Sequence, residues 1–398
     1  MTVHGAWQRT ARGAMLLGDD GVLRSTIFAE MSALAVKTGA INLGQGFPDE
    51  EGPVEVLEAA RRAISDGLNQ YPPGLGMPVL REAIAAHQRR FYDLAGDPDR
   101  EVLVTAGATE ALAAALLALT DAGDEVVVFE PFYDSYAAIA ALGQARLVTV
   151  PLRGEGYQPD LDELRDAVTD RTRVILLNNP HNPTGAQFDR ETLSLIVELA
   201  HEHDAVIVSD EVYEHLIFEG PHTPIATLPG ARDRTVTISS GGKTFNTTGW
   251  KIGWATGPHE IIQAVTAVKQ YLTYVSGAPF QPAIAVGLGL GDDYFAQLSR
   301  SLKERCALLS SGLERAGFAV SKPAGGYFVI ADAAPLGFDD ADAAALALPE
   351  LAGVVGIPLT AFVHEDNRAD FASKLRFAFC KKIDVLERAV AQLSELKR

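Results

Sequence analysis

The residues most able to do chemistry stand together at Ser239-Ser240-Gly241-Gly242-Lys243-Thr244, followed by Gly249-Trp250-Lys251-Ile252-Gly253. One lysine sits on two glycines directly after the apolar run Thr235-Val236-Thr237-Ile238, and a second lysine follows a Gly-Trp pair. Glycines allow positive φ and let a ligand approach the amine closely. A lysine desolvated there, beside another cation, has a lowered pKa and is a usable nucleophile. Two chemistries compete. A phosphate-loop nucleotide site needs glycine six residues before the lysine, and that position is Thr237. No helical run with the expected apolar spacing follows directly. The other chemistry is a lysine that holds pyridoxal phosphate as a Schiff base, with separate groups for phosphate, ring nitrogen and phenolate.

The elements that must position such a lysine are legible. Thr26 to Thr38 reads as a helix, preceded by a loose N-terminal arm. Val54 to Gly67 and Pro78 to Tyr92 are helical, the latter with proline in its first turn. Val102-Leu103-Val104-Thr105 runs into Ala106-Gly107-Ala108-Thr109, a small-residue loop opening a helix and hence an anion site. Strands at 125–129, 146–150, 174–177 and 205–209 alternate with helices, which predicts a mainly parallel sheet covered on both faces. Ligands in such sheets bind at the carboxyl ends of the strands. There the chain places Glu130-Pro131-Phe132-Tyr133, then Asn178-Asn179-Pro180-His181-Asn182-Pro183-Thr184-Gly185, then Asp210-Glu211-Val212-Tyr213. Further on, Leu375-Arg376-Phe377-Ala378-Phe379 sets one arginine among apolar neighbours. Such a guanidinium must find a partner, either an internal acid or a ligand.

Length and composition exclude other classes. The 398 residues are 47% hydrophobic and 22% charged, ordinary globular values, with no internal repeat. A net charge of −18 argues against nucleic acid and anionic membrane as partners. No run reaches the ~18 uninterrupted apolar residues of a membrane span. Cys306 and Cys380 match no metal or redox spacing, which fits a reduced, cytoplasmic setting. His201 and His203 read as an exposed helix end, His181 as part of a turn, and Asp339-Asp340-Ala341-Asp342 as a solvated helix start.

Taken together, the chain resembles the class I/II aminotransferases of pyridoxal-phosphate fold type I over nearly its whole length. The motifs are Asn42-Leu43-Gly44-Gln45-Gly46-Phe47-Pro48, Asn179 to Gly185, Ser209-Asp210-Glu211-Val212-Tyr213, the Lys243 stretch and Leu375-Arg376-Phe377, in the family's order. Within the family it is similar to the branch holding kynurenine, glutamine and methionine aminotransferases and actinobacterial N-succinyldiaminopimelate aminotransferases. The resemblance implies an α/β fold with a mainly parallel seven-stranded sheet in a large domain (51–290). It implies a smaller α+β domain built from 26–50 and 291–398, after an arm over 1–25.

The same resemblance implies roles. Lys243 would carry the pyridoxal phosphate and, once released, shuttle a proton. Asp210 would pair with the ring nitrogen, and Asn182 and Tyr213 would bind the phenolate oxygen. Gly107, Ala108, Thr109, Ser240 and Lys251 would hold the phosphate, and Tyr133 would stack on the ring. Tyr71 would reach the phosphate of a neighbouring subunit, which implies a homodimer with shared sites. Arg376, aided by Gly46 and Asn182, would bind the substrate α-carboxylate as a bidentate fork; no metal is implied. The substrate implied is N-succinyl-2-amino-6-oxopimelate with glutamate as donor, on the route to lysine. A broad kynurenine, methionine or glutamine aminotransferase, or a cysteine-conjugate β-lyase, is the alternative.

Substrate choice rests on thinner ground. Kynurenine-type relatives tend to carry an aromatic and a histidine where this chain has Ser276 and Gly277, and tryptophan at Phe28. The smaller residues are expected to leave room for a long acylated diamino acid. A regulator with this fold would need a basic N-terminal DNA-binding domain, and the 25 residues before Thr26 are too few for one.

Overall fold

A computed structural model describes residues 3–18 and 20–396. The first strand, β1 (Ile41–Asn42), follows the helix Ile27–Thr38, which Thr26 caps by accepting from the Ala29 N–H. Eight strands then build the large sheet: β2 (Val102–Thr105), β3 (Glu125–Glu130), β4 (Arg146–Arg153), β5 (Gln158–Pro159), β6 (Thr172–Asn178), β7 (Val206–Asp210), β8 (Thr235–Ser240) and β9 (Gly253–Thr256). Their order across the sheet is β2-β9-β8-β7-β6-β3-β4-β5. The sheet thus has one strand more than the seven expected. The extra one is the two-residue edge strand β5, antiparallel to β4 and too short to leave a periodic signal.

β3, β8 and β9 are buried at every residue, and β7 at all but its first. Near-continuous apolar runs are what a sheet covered on both faces requires. Pairing is parallel from β8 through β7, β6 and β3 to β4, whereas β9 runs antiparallel between β2 and β8. That reversal sets Gly253 opposite both Thr105 and Ser240, so the chain enters β9 at the end of the sheet where β2 and β8 finish.

Strands β10 (Ala319–Val320), β11 (Phe328–Asp332), β13 (Ile357–Pro358) and β14 (Lys374–Ala378) form an antiparallel sheet in the order β10-β11-β14-β13, and β12 (Val354–Val355) pairs with β1. Arg376 lies in β14 between Ile330 and Ile357. The Ala378 N–H also donates to Leu43 O at 2.6 Å, so the segment after β1 is stitched to β14.

The N-terminal segment departs from the loose arm expected. Ala6–Gly13 is a helix seated on the helix Ser135–Leu142. Gly13 lies so close that a Cβ there would stand 2.5 Å from the Ala141 Cβ. Arg9 Nε donates to Ala141 O at 2.9 Å. None of the helix's residues is buried, so it gave no apolar stripe to read. No helix among the described residues is long and apolar enough to cross a membrane.

Candidate active site

The carboxyl ends of the central strands and the start of β9 converge on a cleft of about 360 Å³. Lys243 enters it from Gly241–Thr244, a single helical turn after β8. Its Nζ donates to Gly46 O at 2.8 Å, while Tyr327 Oη donates to the Lys243 carbonyl at 2.7 Å and fixes the backbone. Burial lowers the Lys243 pKa to about 8, with Arg376 and Lys251 as further cations pushing the same way. Cys380 is a nearby thiol that burial raises to about 11, so it is neutral where Lys243 titrates.

Asp210 ends β7, 5% exposed, and its Oδ2 accepts from Tyr136 Oη at 2.7 Å. Burial pushes its pKa up to about 6. Its side chain has neutral donors and no Lys or Arg partner among the described residues. Tyr213 lines the cleft three residues on, and burial keeps its phenol protonated, hence a hydrogen-bond donor. Asn182 also lines the cleft, its N–H bonded to Asn178 Oδ1 at 2.6 Å.

At another wall, Gly107, Ala108 and Thr109 open the helix Gly107–Leu119 beside Ser240 and Lys251. Lys251 sits in the left-handed region (φ 54°) with Nζ 3.5 Å from Thr109 Oγ1. Free N–H groups, a helix N-terminus and an ammonium there define an anion cradle. Gly253 makes the cradle possible, because a Cβ there would stand 2.6 Å from Ala108 N. Tyr133 lines the cleft as well, its phenol raised to about 12 by burial.

Arg376 is 2% exposed. It donates to Asn182 Oδ1 at 3.2 Å and to Gly44 O at 2.9 Å, while its Nε has no partner. Its guanidinium carbon lies 3.9 Å from the Phe328 ring centroid and 5.4 Å from that of Phe28. No carboxylate pairs with it among the described residues, so the internal salt bridge is ruled out and a buried cation faces the cleft.

One family accounts for this set of groups. The model for "Aminotransferase class I and II" matches residues 38–393. The chain belongs to that family. The aminotransferase is 52% identical to a probable N-succinyldiaminopimelate aminotransferase DapC of Mycobacterium tuberculosis over 94% of this chain and 96% of the relative. It is 36% identical to kynurenine–oxoglutarate transaminase 3 of Homo sapiens over 92% and 87%. A solved structure of N-succinyldiaminopimelate aminotransferase from Mycobacterium tuberculosis superposes with a TM-score of 0.91 at 52% identity, covering 94% of this chain and 97% of that one. The fold is therefore that of the pyridoxal-phosphate fold type I enzymes.

Of the cofactor and substrate residues singled out from sequence, the aminotransferase gathers all but Tyr71, Ser276 and Gly277 in this cleft. Tyr71 lies outside it, 82% exposed and edge-on to Tyr274 at 5.7 Å. Gly277, expected to make room for substrate, has a local reason instead: φ is +60° and a Cβ would collide with Ile252. Neither it nor Ser276 lines the cleft. Sequence reasoning gave no role to Tyr136, Asn178, Tyr327 or Phe328. Asn178 stood inside a quoted motif, four residues before Asn182, whereas Tyr136 reaches Asp210 from the helix Ser135–Leu142, 74 positions away. His181 is buried and neutral, bonded to Thr184, and His201 and His203 sit at a helix end as expected.

Proposed function

We propose that this aminotransferase holds pyridoxal phosphate in the Lys243 cleft. It would use it to move an amino group from glutamate to N-succinyl-2-amino-6-oxopimelate, giving N-succinyl-LL-2,6-diaminopimelate and 2-oxoglutarate. The observation that carries the reading is a charge pattern. One cleft contains a buried carboxyl with no cation, Asp210, and a buried guanidinium with no acid, Arg376, with the desolvated Lys243 in the same space. Each is costly alone and becomes favourable opposite a group of the other sign.

The residues fit the cofactor. Asp210 would meet the ring nitrogen, Tyr213 and Asn182 the phenolate oxygen, and Tyr133 the ring face. Gly107, Ala108, Thr109, Ser240 and Lys251 would take the phosphate, in a cradle that a side chain at Gly253 would fill. Pyridoxal phosphate supplies the electron sink that makes the substrate α-proton removable. Asp210, ionised, would keep the ring nitrogen protonated. Lys243 Nζ, whose neutral amine is populated as pH rises through about 8, would take and return the proton at the substrate α-carbon. Arg376 grips the α-carboxylate with a rigid fork that Phe328 and Phe28 shield from water, and Gly46 and Asn182 complete the grip.

The substrate assignment is supported by the 52% identity to the mycobacterial relative along nearly all of both chains. It is tested by ranking kcat/KM for N-succinyl-LL-diaminopimelate, kynurenine, methionine and glutamine with 2-oxoglutarate as acceptor. The expected order puts the succinylated compound ahead by at least about 100-fold. Kynurenine or methionine in front would sink the substrate while leaving the amino-transfer chemistry intact.

Three further readings are part of the proposal. The enzyme works as a homodimer in which Tyr71 reaches the neighbour's phosphate. The exposed apolar side chains of Tyr71, Tyr271, Leu272 and Tyr274 support this, since such groups mark interaction surfaces. Residues 26–50 and 291–398 form a small domain beside 51–290, with 1–25 an N-terminal segment, supported by the pairing of β1 with β12. The setting is cytoplasmic, which the two free, buried cysteines favour.

A further inference from the structure

A second polar group is packed among aromatic rings outside the Lys243 cleft. His87, from the helix Pro78–Tyr92, meets His215, from the segment after β7, with Nε2 facing Nε2 at 2.6 Å. Glu214 completes the group, and its donor atom and theirs lie within 4.8 Å of one another. His87 and Glu214 are buried and His215 is half-buried. None of the three lines the cleft. The imidazoles are clamped by Phe91, 4.8 Å from each ring, and by Phe295, 4.3 Å from His215.

We propose that His87, Glu214 and His215 form a binding site for one divalent transition ion of the zinc class. Two Nε2 atoms and a carboxylate oxygen are its ligands, with water in the fourth position. Two imidazoles and a carboxylate are a ligand set such ions favour. Facing Nε2 atoms can share only one proton between them, whereas a cation takes both lone pairs. Glu214 is a buried carboxylate whose hydrogen-bond donors are neutral hydroxyls, Tyr92 Oη at 2.7 Å and Ser239 Oγ at 2.6 Å. Among the described residues no Lys or Arg pairs with it, so a cation would balance its charge. The same two hydroxyls hold the carboxylate in a fixed orientation, as groups behind metal ligands commonly do. Two nitrogens on one tetrahedral ion stand about 3.3 Å apart, given metal–nitrogen bonds near 2.0–2.1 Å, so the rings need part by only about 0.7 Å. The ion's work is structural. It ties the helix Pro78–Tyr92 to the residues that directly follow Asp210 and include Tyr213.

The test uses the full-length, tag-free, cofactor-loaded protein, stripped with chelator and titrated with Co(II) as a visible probe. Zn(II) then serves as competitor and as ligand in thermal melts. The expected result is one Co(II) per protomer with visible bands, displaced by one Zn(II), and a Tm that rises with Zn(II) and falls back with chelator. His87→Gln and Glu214→Gln lose both signals, and Tyr92→Phe, which keeps every ligand, weakens binding about 10–100-fold. Absence of a one-per-protomer Co(II) signal in the native protein overturns the proposal, whether or not the variants fold. So does a signal that survives His87→Gln and Tyr92→Phe unchanged, since the ion then sits on the cofactor or the surface.

Discussion

Lys243 and Asp210 are held away from their ordinary protonation, each chiefly by burial, and the signs differ. Burial brings Lys243 down to about 8 in the folded chain from the ordinary lysine value of 10.5. The unfolded state therefore binds more protons between those values, and this group makes stability rise with pH across that window. It also makes the neutral amine available early. Capture of pyridoxal phosphate by the cofactor-free protein, followed by stopped-flow absorbance, should accelerate as pH rises and level off above about 8; a midpoint above 10 would contradict this. Asp210 is the reverse case, raised from 3.8 to about 6. Its stabilising contribution is present at low pH and lost as pH rises through 6, leaving an ionised carboxylate that costs about 3 kcal/mol without its cofactor partner. Asp210→Asn should thus raise the Tm of cofactor-free protein at pH 7.5 by a few degrees while greatly reducing transamination. Equal or lower Tm in the variant would show that Asp210 is not penalised. Arg376→Lys keeps the charge and loses the fork. Its kcat/KM should fall about 10–150-fold, the equivalent of 1.5–3 kcal/mol for one charged hydrogen bond, and unchanged kcat/KM would remove Arg376 from carboxylate binding.

Elements explain why some of this was readable and some was not. The strand ends announced themselves, because β3, β6, β7 and β8 are apolar runs that stop at Glu130, Asn178, Asp210 and Ser240. Lys243, Asp210 and Arg376 were therefore legible as residue types at strand ends or within a strand. The partners of those residues were not. Tyr136 reaches Asp210 from 74 positions away and Arg376 reaches Gly44 O from 332 positions away, separations that no local periodicity encodes. The edge strand β5 and the N-terminal helix were missed for want of length and of a buried face. Gly253 carries an element-scale prediction. Its neighbours at 2.5–2.6 Å are Gly107 and Ala108 backbone atoms, which cannot rotate away. Gly253→Ala should push β9 off β2 and weaken pyridoxal-phosphate affinity by at least about tenfold, measured by equilibrium dialysis, with helix content unchanged by circular dichroism. Native affinity in Gly253→Ala would mean the anion cradle lies elsewhere.

The whole molecule joins a site made by the large sheet to a carboxylate grip made by β14, with β1 and the residues after it stitched between β12 and β14. Tyr71 lies outside its own cleft, and the role proposed for it requires a second molecule. Sedimentation at micromolar concentration should give a dimer of the 42.5 kDa chain, and Tyr71→Phe should weaken cofactor retention without changing that mass. A fully active monomer would contradict both. Lys243 remains the centre of the proposed chemistry, and a single-turnover measurement tests it most directly. Cofactor-loaded native protein and Lys243→Ala are mixed with one equivalent of glutamate or N-succinyl-LL-diaminopimelate, and the cofactor absorption is followed in time. The native protein should convert within one turnover, and Lys243→Ala should be slower by about a thousandfold, within the range general acid–base catalysis supplies. Conversion by Lys243→Ala at the native rate, or a native protein with no cofactor absorption to follow, would contradict the role given to this lysine.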